Sequence, residues 1–397
     1  MSNRKVVVVG AGSVGLVTGL GLAQRGFSVT VLERQPAPTD GLRDMIYHWC
    51  VLPLFAGLGM LDGMLQQGIA CHECTVVAPS TGEVLHLDLG ALADVTEHPF
   101  NLNLTLTKMT AEATRLLADL PDSTIEWGVE VSSIEQDPFG VTVKARRTDG
   151  TETAYRADWV IGADGSHSVV RRSLGLGFAG TTWPKQLISC DLRLDLASLG
   201  HGVESTQIDP VHGALIAKVD RTGLWRYTAA ESRTLPPEHV STRAAEAMTA
   251  ALGVDDLRLQ AVVPFRVHQR SAETFRVGRA VLVGDAAHLT NPTRALGMLS
   301  GLFDAKLLID TLASTDTLGE GALDRYSLER ARNFRDITSP RSNTHLEFMF
   351  SRGAPAQLDE RMARYRKIAN SRDETRRFFL EDLDCESASP LGSDAGV

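Results

Sequence analysis

Cysteine is scarce, with five residues in 397, an odd number and widely scattered. That excludes a disulfide framework and suits a reducing compartment. Long apolar runs are missing too. The longest opening run is four valines after Lys5, far short of the roughly 20 residues that span a bilayer and too short for a signal-peptide core. Cytoplasmic residence is the expectation, with no membrane partner. Basic charge is in deficit: 40 Lys+Arg stand against 49 Asp+Glu, a net charge of -9, which argues against a nucleic-acid partner. No internal repeat exists, and 35 Gly and 16 Pro without a period exclude collagen-like and low-complexity chains. What is present is 43% hydrophobic residues, which excludes disorder. At roughly 100–200 residues per domain this length predicts two to three domains.

Lys5 to Gly10 reads KVVVVG, a β-branched run without alternation, as in a parallel strand buried on both faces. It leads directly into Gly10-Ala11-Gly12-Ser13-Val14-Gly15, then a helical stretch to about Arg25, Gly26 as C-cap, and a strand FSVTVLE ending at Glu33. This is the dinucleotide fingerprint in its required βαβ context. Gly10 allows the tight turn, Gly12 lets the backbone approach a pyrophosphate, and Gly15 lets helix and strand pack closely. The first helical N–H groups, at Ser13 and Val14, face the phosphates. Glu33, followed by Arg34, is placed to accept the hydroxyls of an adenosine ribose and would repel a 2′-phosphate. The same pattern recurs from Gly175 to Gly180, but Pro184 follows and no buried strand precedes, so that copy is a glycine-rich connection.

Two later segments have the same grammar of strand, acid and helix. In DWVIGADGSHSVVRR, residues 158–172, a short apolar strand reaches Asp164, and a helix is expected from about Ser166. In RAVLVGDAAHLTNPTRALGMLSGLFDA, residues 279–305, a strand ends at Gly284-Asp285, a loop passes through Pro292, and a small-residue helix begins near Ala295. Taken singly, an Asp at a strand end most often caps a helix or turn.

Together the three segments resemble the ordered motifs of the group A flavoprotein monooxygenases, single-component FAD-dependent aromatic hydroxylases of the p-hydroxybenzoate hydroxylase type. The resemblance spans roughly residues 5 to 335. It implies an α/β fold, a Rossmann-like FAD-binding domain with an inserted β-rich substrate domain and C-terminal helices. It implies FAD as resident cofactor, NADPH or NADH as transient co-substrate, O2, and hydroxylation of a small aromatic molecule through a flavin C4a-hydroperoxide. Gly10 to Gly15 with Glu33 and Arg34 correspond to the ADP site. Asp164 corresponds to the motif serving FAD pyrophosphate and NAD(P)H, and Gly284-Asp285 to the ribityl contact. Pro292, Ala295, Leu296, Gly297 and Met298 correspond to the loop and helix start beside the flavin ring. Arg43 corresponds to a flavin-contacting arginine after the second strand. The chain departs from the family pattern at Ala295, where Gly is usual, and at Leu299, where Asn is usual. An Arg or Gln usual near the helix after Asn103 is absent, with Lys108 or Thr110 as substitutes. Such enzymes are monomers or homodimers. An oxidase or reductase on the same scaffold, or a non-catalytic FAD-binding protein, are the alternative readings.

The FAD-binding domain is expected from three stretches, 1–75, 101–175 and 278–335. Residues 76–100 and 176–277 form the substrate domain, with candidate strands Leu187–Leu196, Gly213–Val219, Leu224–Ala229 and Val262–Arg270 and a hairpin turning at Gly82. Helices are expected over 336–385, packing on the outside, and a disordered tail over 386–397. Cys71-His72-Glu73-Cys74 has no second cluster to complete a tetrahedral site, and no metal is expected. Substrate-site candidates are Tyr47, His48, Trp49, Arg193, His212, Arg226 and Tyr227. Strand alternation allows at most one of Arg226 and Tyr227 to face inward. His48, with an ordinary pKa near neutrality, is the first choice for an acid–base group. Arg226 lies where the type enzyme holds its substrate carboxylate. His48, Arg226 and Pro292 are thus the catalytic candidates.

Overall fold

The computed structural model describes residues 4–38, 45–254, 257–350 and 355–388. The valine run forms a strand, Lys5–Val9, paired in parallel with Ser28–Glu33 on one side and Trp159–Gly162 on the other. Ser123–Trp127 and Ala280–Leu282 extend this parallel sheet outward, and the short Arg276–Val277 closes one edge antiparallel. Burial on both faces requires a cover on each, which is why the valines do not alternate with polar residues. The helix Ser13–Gln24 covers one face and packs against a second helix, Leu296–Ala313. Both are almost uniformly apolar, as buried helices must be.

A three-stranded antiparallel meander, Val129–Asp137, Gly140–Arg147 and Glu152–Ala157, follows the helix Leu106–Ala118 and the edge strand. The second large sheet has eight strands and contains the expected β-rich stretches as Ala179–Arg193, Ala214–Lys218, Leu224–Ser232 and Leu259–Ser271. Glu204–Gln207 joins it to the hairpin Glu73–Ala78 and Glu83–Asp88 through a parallel pairing. Alternation sorts its two faces. Cys190, Leu192, Trp225 and Tyr227 pack under the helix Val240–Leu252, while Ser189, Arg226 and Thr228 face a cavity.

The structure departs from the sequence reading in three places. The helix after Asp164 starts at Val169, with Ser168 as N-cap, because Asp164 and the Gly165 turn occupy the preceding residues. The C-terminal helices do not simply pack on the outside. Residues His345, Tyr365, Phe378, Phe379 and Asp382 form one wall of the cavity. Of the tail expected to be disordered, residues 386–388 are described and anchored: Glu386 pairs with Lys306, and its carbonyl accepts from Asn333 Nδ2 at 3.1 Å. Residues 389–397 lie outside the described residues, as does Arg43.

Candidate active site

At the carboxyl edge of the parallel sheet, Gly10 (φ +104) turns the chain beneath Ala163. A Cβ at Gly10 would stand 2.5 Å from the Ala163 carbonyl oxygen, and one at Gly15 would stand 2.0 Å from the Gly10 carbonyl oxygen. A Cβ at Gly12 meets nothing within 4 Å. The helix behind it has no side-chain cap and no acid in its first turn, so its free N–H groups and positive dipole end face open space. Glu33 ends the second strand; its Oε2 accepts from Ala11 N–H at 2.9 Å and its Oε1 from Gln35 N–H at 2.9 Å. Arg34 is exposed. Asp164 caps the following helix, Oδ2 accepting from Val169 N–H (2.6 Å) and Val170 N–H (3.2 Å), while Oδ1 is buried with no partner among the described residues. An open glycine and an uncapped helix start fit a dinucleotide pyrophosphate, while the orphaned Asp164 oxygen, an acceptor, fits a hydroxyl donor of the same cofactor.

The third segment closes on the same crevice. Gly284 (φ +55) begins the turn carrying the exposed Asp285, and a Cβ at Gly301 would come within 2.8 Å of Val14 Cγ2. Asp304 fixes the turn: Oδ2 accepts from Gly284 N–H (2.9 Å) and His288 Nε2 (2.7 Å), and Oδ1 from Arg330 Nε (2.6 Å). Burial opposes ionisation of Asp304, but His288 and Arg330 outweigh it and hold the carboxyl below its ordinary range. His288 also stacks on Phe334 at 4.4 Å; it is a structural hydrogen-bonder. Beyond Pro292, Arg294 (φ +59) and Ala295 (φ +48) both adopt the left-handed conformation, after which Leu296–Ala313 begins with no side-chain cap and no acid in its first turn. Ala295 therefore sits where glycine costs least. Leu296, Met298 and Leu299 turn into the core and Gly297 stays partly open, so Leu299 contributes packing where the family has a polar contact.

Between this loop and the large sheet lies a cavity of about 560 Å³. Of the substrate-site candidates, it brings together His48 and Arg226, with Pro292 and Ala295 on the side of the loop before Leu296. Tyr47 is buried against Phe55, Trp49 donates its N–H to Asn101 Oδ1, Arg193 bonds to Thr222, and Tyr227 faces away from the cavity. Lys108 reaches the Gln67 carbonyl, and the Thr110 hydroxyl bonds its own helix, so neither lines the cavity.

Two candidates sit in settings the sequence did not foresee. Arg226 was expected to meet a substrate carboxylate, but Asp191 already holds it in a two-point pair, at 2.9 and 3.1 Å. The strand register places these two residues directly opposite one another. His48, read as an acid–base group, has both nitrogens occupied: Nδ1 lies 2.9 Å from Asp382 Oδ2, and Nε2 lies 2.9 Å from the Arg294 carbonyl. A carbonyl only accepts, and an ionised carboxylate only accepts, so this geometry favours the imidazolium, in which both nitrogens donate. Burial pulls its pKa down, and Asp382, through charge and hydrogen bond, raises it above the ordinary value. Asp382 also receives Arg294 Nη2 at 2.7 Å. His48 is thus a clamp between the loop at Arg294 and the C-terminal segment.

Asn101, Glu204, Arg294, His345, Tyr365 and Asp382 were missed. Arg294 stood inside a recognised motif and its left-handed turn could have drawn notice. The others carry no local signal. Glu204 is buried, its Oε2 accepting from Asn101 Nδ2 at 3.0 Å and Cys74 Sγ at 3.5 Å. The ligand atoms of Cys71, Cys74 and Glu204 lie within 4.8 Å of one another. Both thiols act as hydrogen-bond donors, Cys71 to the Glu73 carbonyl at 3.2 Å.

Comparison with known proteins agrees with this architecture. Residues 3–339 match the family described as FAD binding domain. The chain is 36% identical over 351 residues to 6-hydroxy-3-succinoylpyridine 3-monooxygenase of Pseudomonas putida (strain DSM 28022 / S16), covering 87% of this chain and 89% of that protein. It is 32% identical over 382 residues to para-nitrophenol 4-monooxygenase of Pseudomonas sp. (strain WBC-3), covering 95% and 94%. The crystal structure of p-nitrophenol 4-monooxygenase from Pseudomonas putida DLL-E4 superposes with a TM-score of 0.91 at 31% identity, covering 97% of this chain and 98% of that one. No helix among the described residues is long and apolar enough to cross a membrane. With the glycine cradle, the two acid-bearing turns and these relatives in agreement, the chain belongs to the FAD-binding-domain family as a group A, FAD-dependent aromatic monooxygenase.

Proposed function

We propose that the chain hydroxylates a small, already hydroxylated six-membered aromatic or pyridine ring, with NAD(P)H as reductant and O2 as oxygen source. One oxygen atom enters the ring, the other leaves as water, and the nucleotide supplies the hydride that completes the balance. The observation that carries this reading is the cavity between Pro292–Ala295 and the large sheet, whose volume lies within the range of small-molecule sites. The two relatives named above act, by their names, on a nitrophenol and a hydroxypyridine.

When bound, FAD supplies the redox chemistry, accepting a hydride equivalent and activating O2. The chain's part is to hold and orient. Gly10, Gly12, Ser13, Val14 and Gly15 would cradle the pyrophosphate, with Asp164 beside it, Glu33 and Arg34 at the adenosine end, and Gly284-Asp285 at the ribityl chain. The N–H groups of Leu296, Gly297 and Met298 would face the ring, where a helix start favours negative charge. Pro292 and Ala295 form the cavity wall on that side. We further propose a division of labour in which 1–75, 101–175 and 278–335 hold the cofactor and 76–100 with 176–277 hold the substrate.

Anaerobic mixing of the yellow holoenzyme with NADH or NADPH, with and without 4-nitrophenol and hydroxypyridines, tests the proposal. Bleaching of the flavin band, accelerated by one of these rings, is the expected result. A flavin that neither nucleotide reduces under any of these conditions refutes it.

A further inference from the structure

The cavity wall carries several ionisable groups, and all but one have their charge answered. Arg226 is paired with Asp191, Arg294 with Glu381 and Asp382, and His48 with Asp382. His345, held to about 3 by burial, is neutral. Among the described residues Glu204 has no ion pair. Its Oε2 takes the Asn101 amide and the Cys74 thiol, and its Oε1 is buried with no partner among them. The Asn101 amide cannot turn to serve Oε1, because its own oxygen is fixed by Trp49 N–H at 3.0 Å. An unsatisfied buried oxygen is destabilising, so its retention at the wall of a ligand cavity asks for a donor that arrives with the ligand.

We propose that Glu204 recognises the substrate's ring hydroxyl, accepting its hydrogen bond at Oε1 and taking its proton, and that the cavity selects phenols that carry no carboxylate. This rests on the hydroxylase reading above. In the step, the phenol O–H bond breaks, an Oε1–H bond forms, and the electron pair stays on the ring oxygen. The ring becomes electron-rich, and the cavity holds one negative charge before and after. Burial pushes the Glu204 carboxyl up, against the Asn101 hydrogen bond and the His48 charge, which suits it to hold that proton. A substrate carboxylate would instead bring a second anion to a wall whose two arginines are already paired.

Binding of 4-nitrophenol, its methyl ether 4-nitroanisole and 4-hydroxybenzoate to the FAD-loaded enzyme separates these claims, read from perturbation of the flavin spectrum. Wild type is expected to bind the phenol about tenfold or more tightly than the ether, more tightly than the benzoate, and as phenolate at a pH where the free phenol is neutral. Glu204→Gln is expected to keep the flavin spectrum while the phenol-to-ether ratio falls toward one, and Glu204→Asp to recover part of it. Equal wild-type binding of phenol and ether, tighter binding of the benzoate, a neutral bound phenol, or an undiminished ratio in Glu204→Gln each overturns the proposal. The wild-type arms decide even where a variant does not fold. A phenol preference lost in Glu204→Gln without any NAD(P)H oxidation by wild type would leave Glu204 assigned and refute the hydroxylase reading. Turnover with the ratio intact in the variant would do the reverse.

Discussion

At Gly15 one added methyl group has no room, since its carbon would stand 2.0 Å from a backbone oxygen that cannot move without breaking the turn. At Gly12 the same methyl group points into empty space, with φ and ψ (-73°, 178°) that alanine adopts freely. The two substitutions should therefore fail differently. Gly15→Ala is expected to cost about 3 kcal/mol or more in stability, read as a large drop in thermal midpoint. Gly12→Ala should melt like wild type without FAD and yet bind FAD about tenfold more weakly, because the methyl group keeps the pyrophosphate off the helix N–H groups. A Gly12→Ala protein with undiminished FAD affinity would remove Gly12 from the cofactor site. Ala295 poses the opposite case: φ +48 strains an alanine by about 1–2 kcal/mol. Glycine relieves this at the cost of a freer unfolded chain. Ala295→Gly should raise stability by roughly 0.5–1 kcal/mol, and a lower midpoint would show that the methyl group's packing outweighs its strain.

Elements meet here through residues far apart in the chain, and that decides what the sequence could disclose. The glycine loop, Glu33, Asp164 and the 284–301 turn are legible because each owes its residue types to its own few neighbours. His48 and Asp382 are separated by 334 positions, and no period or spacing links them. Their meeting depends on how the C-terminal helices fold back over the loop, so these helices read only as amphipathic. Asp382 neutralises two buried cations, Arg294 and His48. Asp382→Ala should cost roughly 3 kcal/mol by denaturant unfolding, well above the effect of an exposed pair such as Arg376–Asp94. The clamp also predicts a pH dependence. The folded-state pKa of His48 is raised above 6.5, so its stabilisation is fully present below pH 6.5 and fades as the pH climbs through the raised value. Wild type should lose thermal stability relative to His48→Gln across that rise. Parallel melting curves for the two proteins from about pH 6 to pH 9 would show that His48 does not titrate as a clamp.

For the molecule as a whole, the crevice proposed for the cofactor is assembled from three separated pieces of chain: residues 10–15, the turn at 163–165 and the loop at 284–301. They touch through Gly10 against Ala163 and Gly301 against Val14, but the helix starts at Ser13 and Leu296 present backbone N–H groups that no side chain among the described residues caps. Folding without FAD leaves those dipole ends and the Asp164 oxygen unanswered among the described residues, while strand pairing (Ala163 N–H to the Val9 carbonyl, 2.9 Å), Arg171 on the Ala286 carbonyl (2.9 Å) and packing join the pieces. FAD that binds the native state but not the unfolded chain stabilises it by RT ln(1 + [FAD]/Kd), about 2.7 kcal/mol at 100 times Kd. The thermal midpoint of protein stripped of FAD should accordingly rise with added FAD and approach that of the holoenzyme. Hydrogen exchange locates the gain. Because one ligand answers all three pieces, amides at 11–16, 165–170 and 295–300 should gain protection together, and amides of the meander 129–157 should gain only what global stabilisation confers. Protection confined to residues 11–16 would mean that FAD is held by the glycine loop alone and that the later turns serve the fold, not the cofactor.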